Sequence, residues 1–146
     1  MAALASSPVD IALEYVPHPH LAQIYAGFQA LEAQGVVRLH WLPAAGATAK
    51  MEAKLSVTLN AEVHVTYDTA DGLNWINGDW NDNLEHFHRT APDGYYFKRS
   101  YHPDVANVAP SECKVLPLVI CALAGRPFRA ENGGVVARRC RYPLVP

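Results

Sequence analysis

Hydrophobic positions in the first third of the chain follow two different spacings. Val9–Val16 is almost continuously apolar, as in a strand that is buried on both faces. From His20 to Gln34, large apolar side chains recur every three or four residues, which predicts an amphipathic helix that ends at Gly35. Val36–Leu42 is again apolar. This order predicts two parallel strands joined through a helix by a right-handed crossover.

The next two apolar runs alternate with polar residues. Lys54–Leu59 and Val63–Tyr67 each place their apolar side chains at every second position, the period of a half-buried strand. Only a short Asn60-Ala61 connection separates them. A hairpin over Lys54–Tyr67 is therefore predicted.

The remaining pattern continues the alternation of helices and strands. It predicts a helix over Trp80–Arg89 that is capped by Asp79 or Asn77 and packs Leu84, Phe87 and Trp80 inward. A strand over Tyr95–Lys98 and a short helix over His102–Ala109 are predicted next. The last predicted strand covers Lys114–Ile120, and Pro117 restricts it to a sheet edge or an irregular end. The predicted fold class is α/β, a Rossmann-like and mostly parallel sheet flanked by helices. Residues 1–120 form this domain, and the Arg-rich residues 121–146 form an irregular tail.

Composition narrows the functional classes. Half of the 146 residues are hydrophobic and the net charge is -2, so the whole chain has no attraction for nucleic acid. No apolar run has the length of a membrane span, and no signal peptide is evident. The three cysteines form no CxxC pair, which favours reduced thiols and a cytoplasmic protein.

Polar residues collect where two predicted strands end. Asp68, Thr69, Asp71 and Gly72 follow the second hairpin strand, and their carboxylates suit sugar hydroxyls or a metal; the alternative is an ordinary turn. Lys98-Arg99-Ser100 ends the aromatic strand and suits an anion, or is simply a solvated strand end. Strand ends of this kind are where open α/β sheets bind ligands.

Histidines and tryptophans supply weaker candidates. His18 and His20 follow the first strand and suit contact with a substrate hydroxyl, whereas no HExxH motif or cysteine accompanies them to suggest a metal. Trp75 and Trp80 either stack on a sugar or, as we expect, anchor the core. No nucleotide-loop or hydrolase motif is present in the sequence, and neither a metal nor a cofactor is predicted.

Three segments together resemble a known family. VTYDTADGLNWINGDWNDNLEHF, YYFKRSYHPDV and CKVLPL are similar to the N-terminal half of bacterial GT-B glycosyltransferase-like proteins, most specifically over Tyr67–Trp75 and Tyr96–Tyr101. The resemblance covers Val9 to Leu118. It implies an acceptor-side, Rossmann-like half whose partner half holds the sugar nucleotide, with transfer in the cleft between them.

Carried over to this chain, the resemblance implies a carbohydrate acceptor and assigns no catalytic residue. The residues that it and the strand ends point to as substrate-binding are His18, His20, Asp68, Thr69, Asp71, Gly72, Lys98, Arg99 and Ser100. The resemblance is lost after Leu118, so we expect a truncated or frameshifted reading frame that is inactive alone. A sugar nucleotide would then bind only with a donor domain supplied in trans, and an exposed face would favour a homodimer or another partner.

Two other classes of protein remain open on the sequence. One is a small α/β module that binds a nucleotide or a phosphorylated ligand at the Asp68 and Lys98 strand ends. The other is a non-catalytic interaction protein in which these strand ends are ordinary turns.

Overall fold

The computed structural model describes residues 7–43 and 53–118. These residues form six strands and three α-helices, with a short 3-10 turn at Pro19–Leu21: β1 Val9–Glu14, α1 Ala22–Ala33, β2 Val37–Leu42, β3 Lys54–Leu59, β4 Val63–Asp68, α2 Trp80–Thr90, β5 Gly94–Lys98, α3 Pro103–Val108 and β6 Cys113–Pro117. Every predicted element in these ranges is present, with ends shifted by a few residues. The predicted tail at 121–146 lies outside the described residues.

The strands form one mixed sheet in the order β2-β1-β3-β4-β5-β6. The predicted parallel pair β1/β2 and the predicted β3/β4 hairpin are both confirmed, and β4, β5 and β6 are parallel to one another. β3 is antiparallel to both of its neighbours. The α/β class with flanking helices is thus established, while the antiparallel β3 at the centre leaves the Rossmann-like arrangement unestablished.

The turn between β3 and β4 is hydrogen-bonded to β1. The loop between the register partners Leu59 and Val63 has three residues, of which Asn60 and Ala61 have φ values of 50° and 57°, the left-handed conformation of the central residues of a type I′ turn. The backbone N–H of Asn60 donates to the carbonyl of Asp10 (2.8 Å), and the Asn60 side chain accepts from the Asp10 N–H (2.9 Å). The hairpin tip is therefore fastened to the start of β1.

Each face of the sheet carries its own hydrophobic core. On one face, α1 packs through Tyr25 and Phe28 on β1, β2, β3 and β4. On the other face, α2 and α3 pack on β5 and β6, around Phe87, Tyr96 and Val105. Successive strand residues point to opposite faces. The even-numbered residues of β4 and β5 consequently face α2.

Local sequence sets the ends of the second-face helices. Asp79 caps α2 as predicted: its side chain accepts from the N–H of Asp82, whose carboxylate accepts in turn from the N–H of Asp79. Pro103 occupies the first turn of α3, as predicted. The inward placement of Trp80 was wrong, because this first residue of α2 is 44% exposed. No helix within residues 7–43 or 53–118 is long and apolar enough to cross a bilayer.

Gly94 fixes the start of β5 against β4. Its φ is +92°, and a Cβ added to it would lie 2.2 Å from the carbonyl oxygen of His64. No side chain fits in that space. The close approach of the two strands at this point requires glycine.

Candidate functional site

The carboxyl ends of β4 and β5 lie side by side, as the sequence predicts. Asp68 and Lys98 are register partners in this parallel pair, and the Arg99 N–H continues the pairing to the Asp68 carbonyl (2.9 Å). The two polar segments that follow the strands therefore share one edge of the sheet. Their residues separate into a buried layer and an exposed layer.

The buried layer is built around the carboxylate of Asp68, which is 1% exposed. Its Oδ1 accepts from the Ala70 N–H (3.0 Å) and from Lys98 Nζ (3.1 Å). Its Oδ2 accepts from Trp75 Nε1–H (3.0 Å) and from the Tyr96 hydroxyl. We call Asp68, Trp75, Tyr96 and Lys98 the buried network. A carboxylate removed from water is stable here because four donors replace its hydration.

Lys98 is fully buried and is used within the network. Its ammonium also donates to the Ala70 carbonyl (2.6 Å) and lies 5.6 Å from the centre of the Trp75 ring. Burial lowers the pKa of Lys98 against the opposing pull of the Asp68 carboxylate. Burial, together with the same carboxylate, strongly raises the pKa of Tyr96. Within the described ranges, every buried side-chain nitrogen and oxygen has a hydrogen-bond partner, including those of the buried network.

Thr69 joins this layer to β3. Both its N–H and its hydroxyl donate to the carbonyl of Ala53, each at 2.8 Å, and its side chain is fully buried. Thr69 thus anchors the turn after β4 to the beginning of the neighbouring strand. Of the predicted site residues, Asp68, Thr69 and Lys98 support this edge of the sheet from inside.

The exposed layer contains the other four predicted residues of this edge. Arg99 Nε lies 3.5 Å from the Asp71 carboxylate, and the Gly72 N–H donates to the Ser100 hydroxyl (2.9 Å). Gly72 has a φ of +71°, the left-handed region that glycine adopts without strain. We call Asp71, Gly72, Arg99 and Ser100 the polar rim. It presents a carboxylate, a guanidinium and a hydroxyl together on two adjacent strand ends.

His18 and His20 lie farther along the same edge. They follow β1, which runs parallel to β4 but is separated from it by β3. Two strand spacings make that separation about 10 Å. His18 Nδ1 accepts from the His20 N–H (3.2 Å), and the two imidazole rings meet edge to face at 4.9 Å. The histidines and the polar rim therefore share an edge without forming one compact cluster.

Trp75 and Tyr96 are the members of the buried network that sequence reasoning did not assign. Trp75 stacks on Phe87 at 4.9 Å, which confirms its expected core role, while its indole N–H reaches Asp68. Tyr96 could have been found from strand alternation. It lies two residues before Lys98 and so shares a face with it in a strand predicted beside the Asp68 strand.

A second aspartate with close polar partners lies on the sheet face that α1 does not cover. Asp10 Oδ1 is 2.9 Å from His40 Nε2 and 3.2 Å from Arg38 Nη1, and all three side chains are about half exposed. The hydrogen bond from His40 is the main cause that lowers the pKa of Asp10. We call Asp10, Arg38 and His40 the surface triad.

In the described ranges, no three His, Cys, Asp or Glu side chains lie close enough together to bind a metal ion. Comparison of the chain with known protein families, curated proteins and solved structures gave no match.

Proposed function

We propose that this chain is the acceptor-side, Rossmann-like half of a sugar-transferring enzyme and that it binds a carbohydrate acceptor at the carboxyl ends of β4 and β5. The observation that carries the proposal is the polar rim, in which Asp71 and Arg99 are exposed on adjacent strand ends. If the domain is Rossmann-like, the antiparallel β3 of the hairpin is its one difference from an all-parallel sheet within the described residues.

The buried network supports the proposal because it anchors the backbone segments that carry the rim. Asp71 and Gly72 begin a few residues after Asp68, whose carboxylate fixes the Ala70 N–H, and Arg99 follows Lys98 directly. Ligand-binding groups are most effective when the elements beneath them are rigid. A ligand at the rim would thus meet groups that are already positioned.

The chemistry of the rim favours hydroxyl groups over phosphate. Lys98 is fully buried and donates to Asp68 and Ala70, so it is not exposed to a ligand. Arg99 lies against Asp71, whose negative charge opposes a phosphate. A carboxylate beside a guanidinium instead offers an acceptor and donors together, which suits the hydroxyls of a sugar.

A titration followed by ¹⁵N-¹H NMR tests this function. Methyl glucoside, N-acetylglucosamine and maltohexaose are added separately to the full chain. We expect the backbone signals of Gly72, Arg99 and Ser100 to shift. In Asp71→Asn the affinity should fall about tenfold, the size of one lost hydrogen bond to a charged group.

Asp93→Asn is the matched control, since Asp93 is an exposed carboxylate in the turn before β5, at the opposite edge of the sheet. The affinity of Asp93→Asn for sugar should equal that of the unaltered chain. Equal losses in Asp71→Asn and Asp93→Asn, or no shift with any of the three sugars, would contradict the proposed function. Tighter binding of inorganic phosphate than of any sugar would favour a phosphorylated ligand instead.

A further inference from the structure

Three aromatic rings meet at the carboxyl ends of β1 and β2. The ring centres of Tyr15 and Tyr25 are 5.5 Å apart, those of Tyr25 and Trp41 5.6 Å, and those of Tyr15 and Trp41 6.1 Å. These distances lie within the range of favourable aromatic contacts. We call Tyr15, Tyr25 and Trp41 the aromatic cluster, which neither the polar rim nor the buried network includes.

The cluster is held by backbone contacts at both strand ends. The Tyr25 hydroxyl donates to the Val16 carbonyl (3.0 Å) and accepts from the Val16 N–H (2.8 Å), which fixes this ring from α1. The Tyr15 N–H donates to the Leu42 carbonyl (3.1 Å), one step beyond the β1/β2 ladder. All three rings are consequently attached to regular, hydrogen-bonded backbone.

Burial divides the cluster into a base and a surface. Tyr25 is 9% exposed, whereas Tyr15 is 50% and Trp41 is 42% exposed. Large aromatic side chains that are ordered yet half exposed leave apolar area in water at a cost in free energy. That area is a contiguous surface on the same edge of the sheet as the polar rim.

The sequence segments that carry the cluster favour a neutral ligand over a polyanion. Residues 9–25 and 39–43, which carry the cluster and its sequence neighbours, contain no lysine or arginine. Aromatic platforms for nucleic acid bases are accompanied by a basic groove, which these residues do not supply. The cluster is instead flanked in sequence by His18 and His20. Because His18 Nδ1 accepts from the His20 N–H, Nε2 carries the proton in the neutral ring and is the donor.

We propose that the aromatic cluster is a second carbohydrate subsite, on which one ring of an oligosaccharide stacks. A pyranose has an apolar face of C–H groups and a rim of hydroxyls, and it therefore matches an aromatic surface whose strand is followed by an imidazole donor. This inference rests on the proposed function and makes it more specific. The acceptor is an oligosaccharide that extends over the roughly 10 Å between β1 and β4.

Chain length and a tryptophan substitution test the subsite together. Methyl glucoside and the hexasaccharides of maltose, cellulose and chitin are titrated into the full chain, with ¹⁵N-¹H NMR as the readout. For at least one hexasaccharide we expect an affinity at least tenfold above that of methyl glucoside, with a shift of the Trp41 indole signal. Trp41→Ala should remove most of this advantage, and Trp41→Phe should keep most of it.

Trp80→Ala is the matched control, because Trp80 is 44% exposed and lies on α2, away from the cluster. Tyr15→Ala is a second variant that should reproduce the loss, should Trp41→Ala fold poorly. Equal affinities of monosaccharide and hexasaccharides, or equal losses in Trp41→Ala and Trp80→Ala, would overturn the subsite. So would tighter binding of oligothymidylate, or Trp41 shifts that depend only on protein concentration.

The two proposals fail separately. If Asp71→Asn weakens binding and Trp41→Ala does not, the polar rim binds sugar and the aromatic subsite is wrong. If Trp41→Ala weakens binding and Asp71→Asn does not, the aromatic subsite stands and the rim is wrong. If neither Asp71→Asn nor Trp41→Ala weakens sugar binding, both proposals are wrong.

Discussion

The buried network and the surface triad use the same chemistry in different surroundings. In each, an aspartate within a strand meets a cation at about 3 Å: Asp68 with Lys98 at 3.1 Å, and Asp10 with Arg38 at 3.2 Å. The first pair is removed from water and holds the turn of the polar rim, whereas the second pair is about half exposed. The distance between two charges therefore says little about the free energy of their interaction until their burial is known.

The largest difference between the regions should follow removal of one buried cation. Lys98→Met leaves the Asp68 carboxylate inside the protein without its counter-charge and the Ala70 carbonyl without a donor. We expect the free energy of unfolding to fall by about 3–5 kcal/mol, measured by urea denaturation.

The double variant Asp68→Asn/Lys98→Met removes both charges. It should be more stable than Lys98→Met alone, since no buried charge remains unpaired. A loss below about 1 kcal/mol in Lys98→Met would mean that the buried pair behaves like a surface pair.

A smaller effect should follow loss of a neutral donor from the same network. Tyr96→Phe keeps the ring packing on Phe87 and removes the hydroxyl that donates to Asp68 Oδ2. The expected loss of stability at pH 7 is about 1–3 kcal/mol. Tyr95→Phe is the matched control, because Tyr95 is exposed on the preceding position of β5, and it should leave stability unchanged.

Alkaline pH adds a second measurement to this pair of variants. The pKa of Tyr96 is raised in the folded protein, so the folded state keeps a proton that the unfolded state releases above about pH 10. The stabilising contribution of the Tyr96 hydroxyl is then present below pH 10 and lost as the pH rises further. The gap in stability between the unaltered chain and Tyr96→Phe should narrow above pH 10, and a gap that widens would contradict the assignment.

The smallest effect is expected at the surface triad. Asp10→Asn removes the charge that faces Arg38 and His40, yet all three side chains are solvated, so stability at pH 7 should change little. Because the folded-state pKa of Asp10 is lowered, any contribution is present above its ordinary pKa and disappears as the pH falls through the lowered value.

Salt should separate the two regions further. In 1 M NaCl the small difference between Asp10→Asn and the unaltered chain should vanish, whereas the loss in Lys98→Met should persist. If Asp10→Asn proved as costly as Lys98→Met, the contrast drawn from burial would be wrong.

Local patterns predicted the elements well because each depends on nearby residues. The cap at Asp79, the proline in the first turn of α3 and the alternation of the hairpin strands were all legible in the sequence. The position of β3 between β1 and β4 was not. It depends on three register pairs between Ile11–Leu13 and Val57–Leu59, which are far apart in the chain.

The position of the candidate site at one edge of the sheet was predictable from the sequence, but the burial of its individual residues was not. Asp68, Lys98 and Arg99 were correctly expected at one edge of the sheet, since parallel strand ends meet there. Their division into buried and exposed layers depends on which face α2 covers, and on the fold of the β4–α2 loop, which brings Trp75 back to Asp68. The β1/β2 pair was predicted, but the aromatic cluster was missed because the register that sets Tyr15 beside Trp41 does not follow from the strand pattern.

The close approach at Gly94 has a consequence for tracing the ancestry of this chain. Any other amino acid would place its first side-chain carbon 2.2 Å from the His64 carbonyl oxygen. A homologue that keeps the β4/β5 register should therefore carry glycine at the position of Gly94, two residues before the tyrosine that contacts Asp68. A search profile can combine the glycine at 94 with Tyr96, Lys98 and Asp68. Such a profile would identify relatives by shared packing constraints, since overall sequence similarity identified no relative.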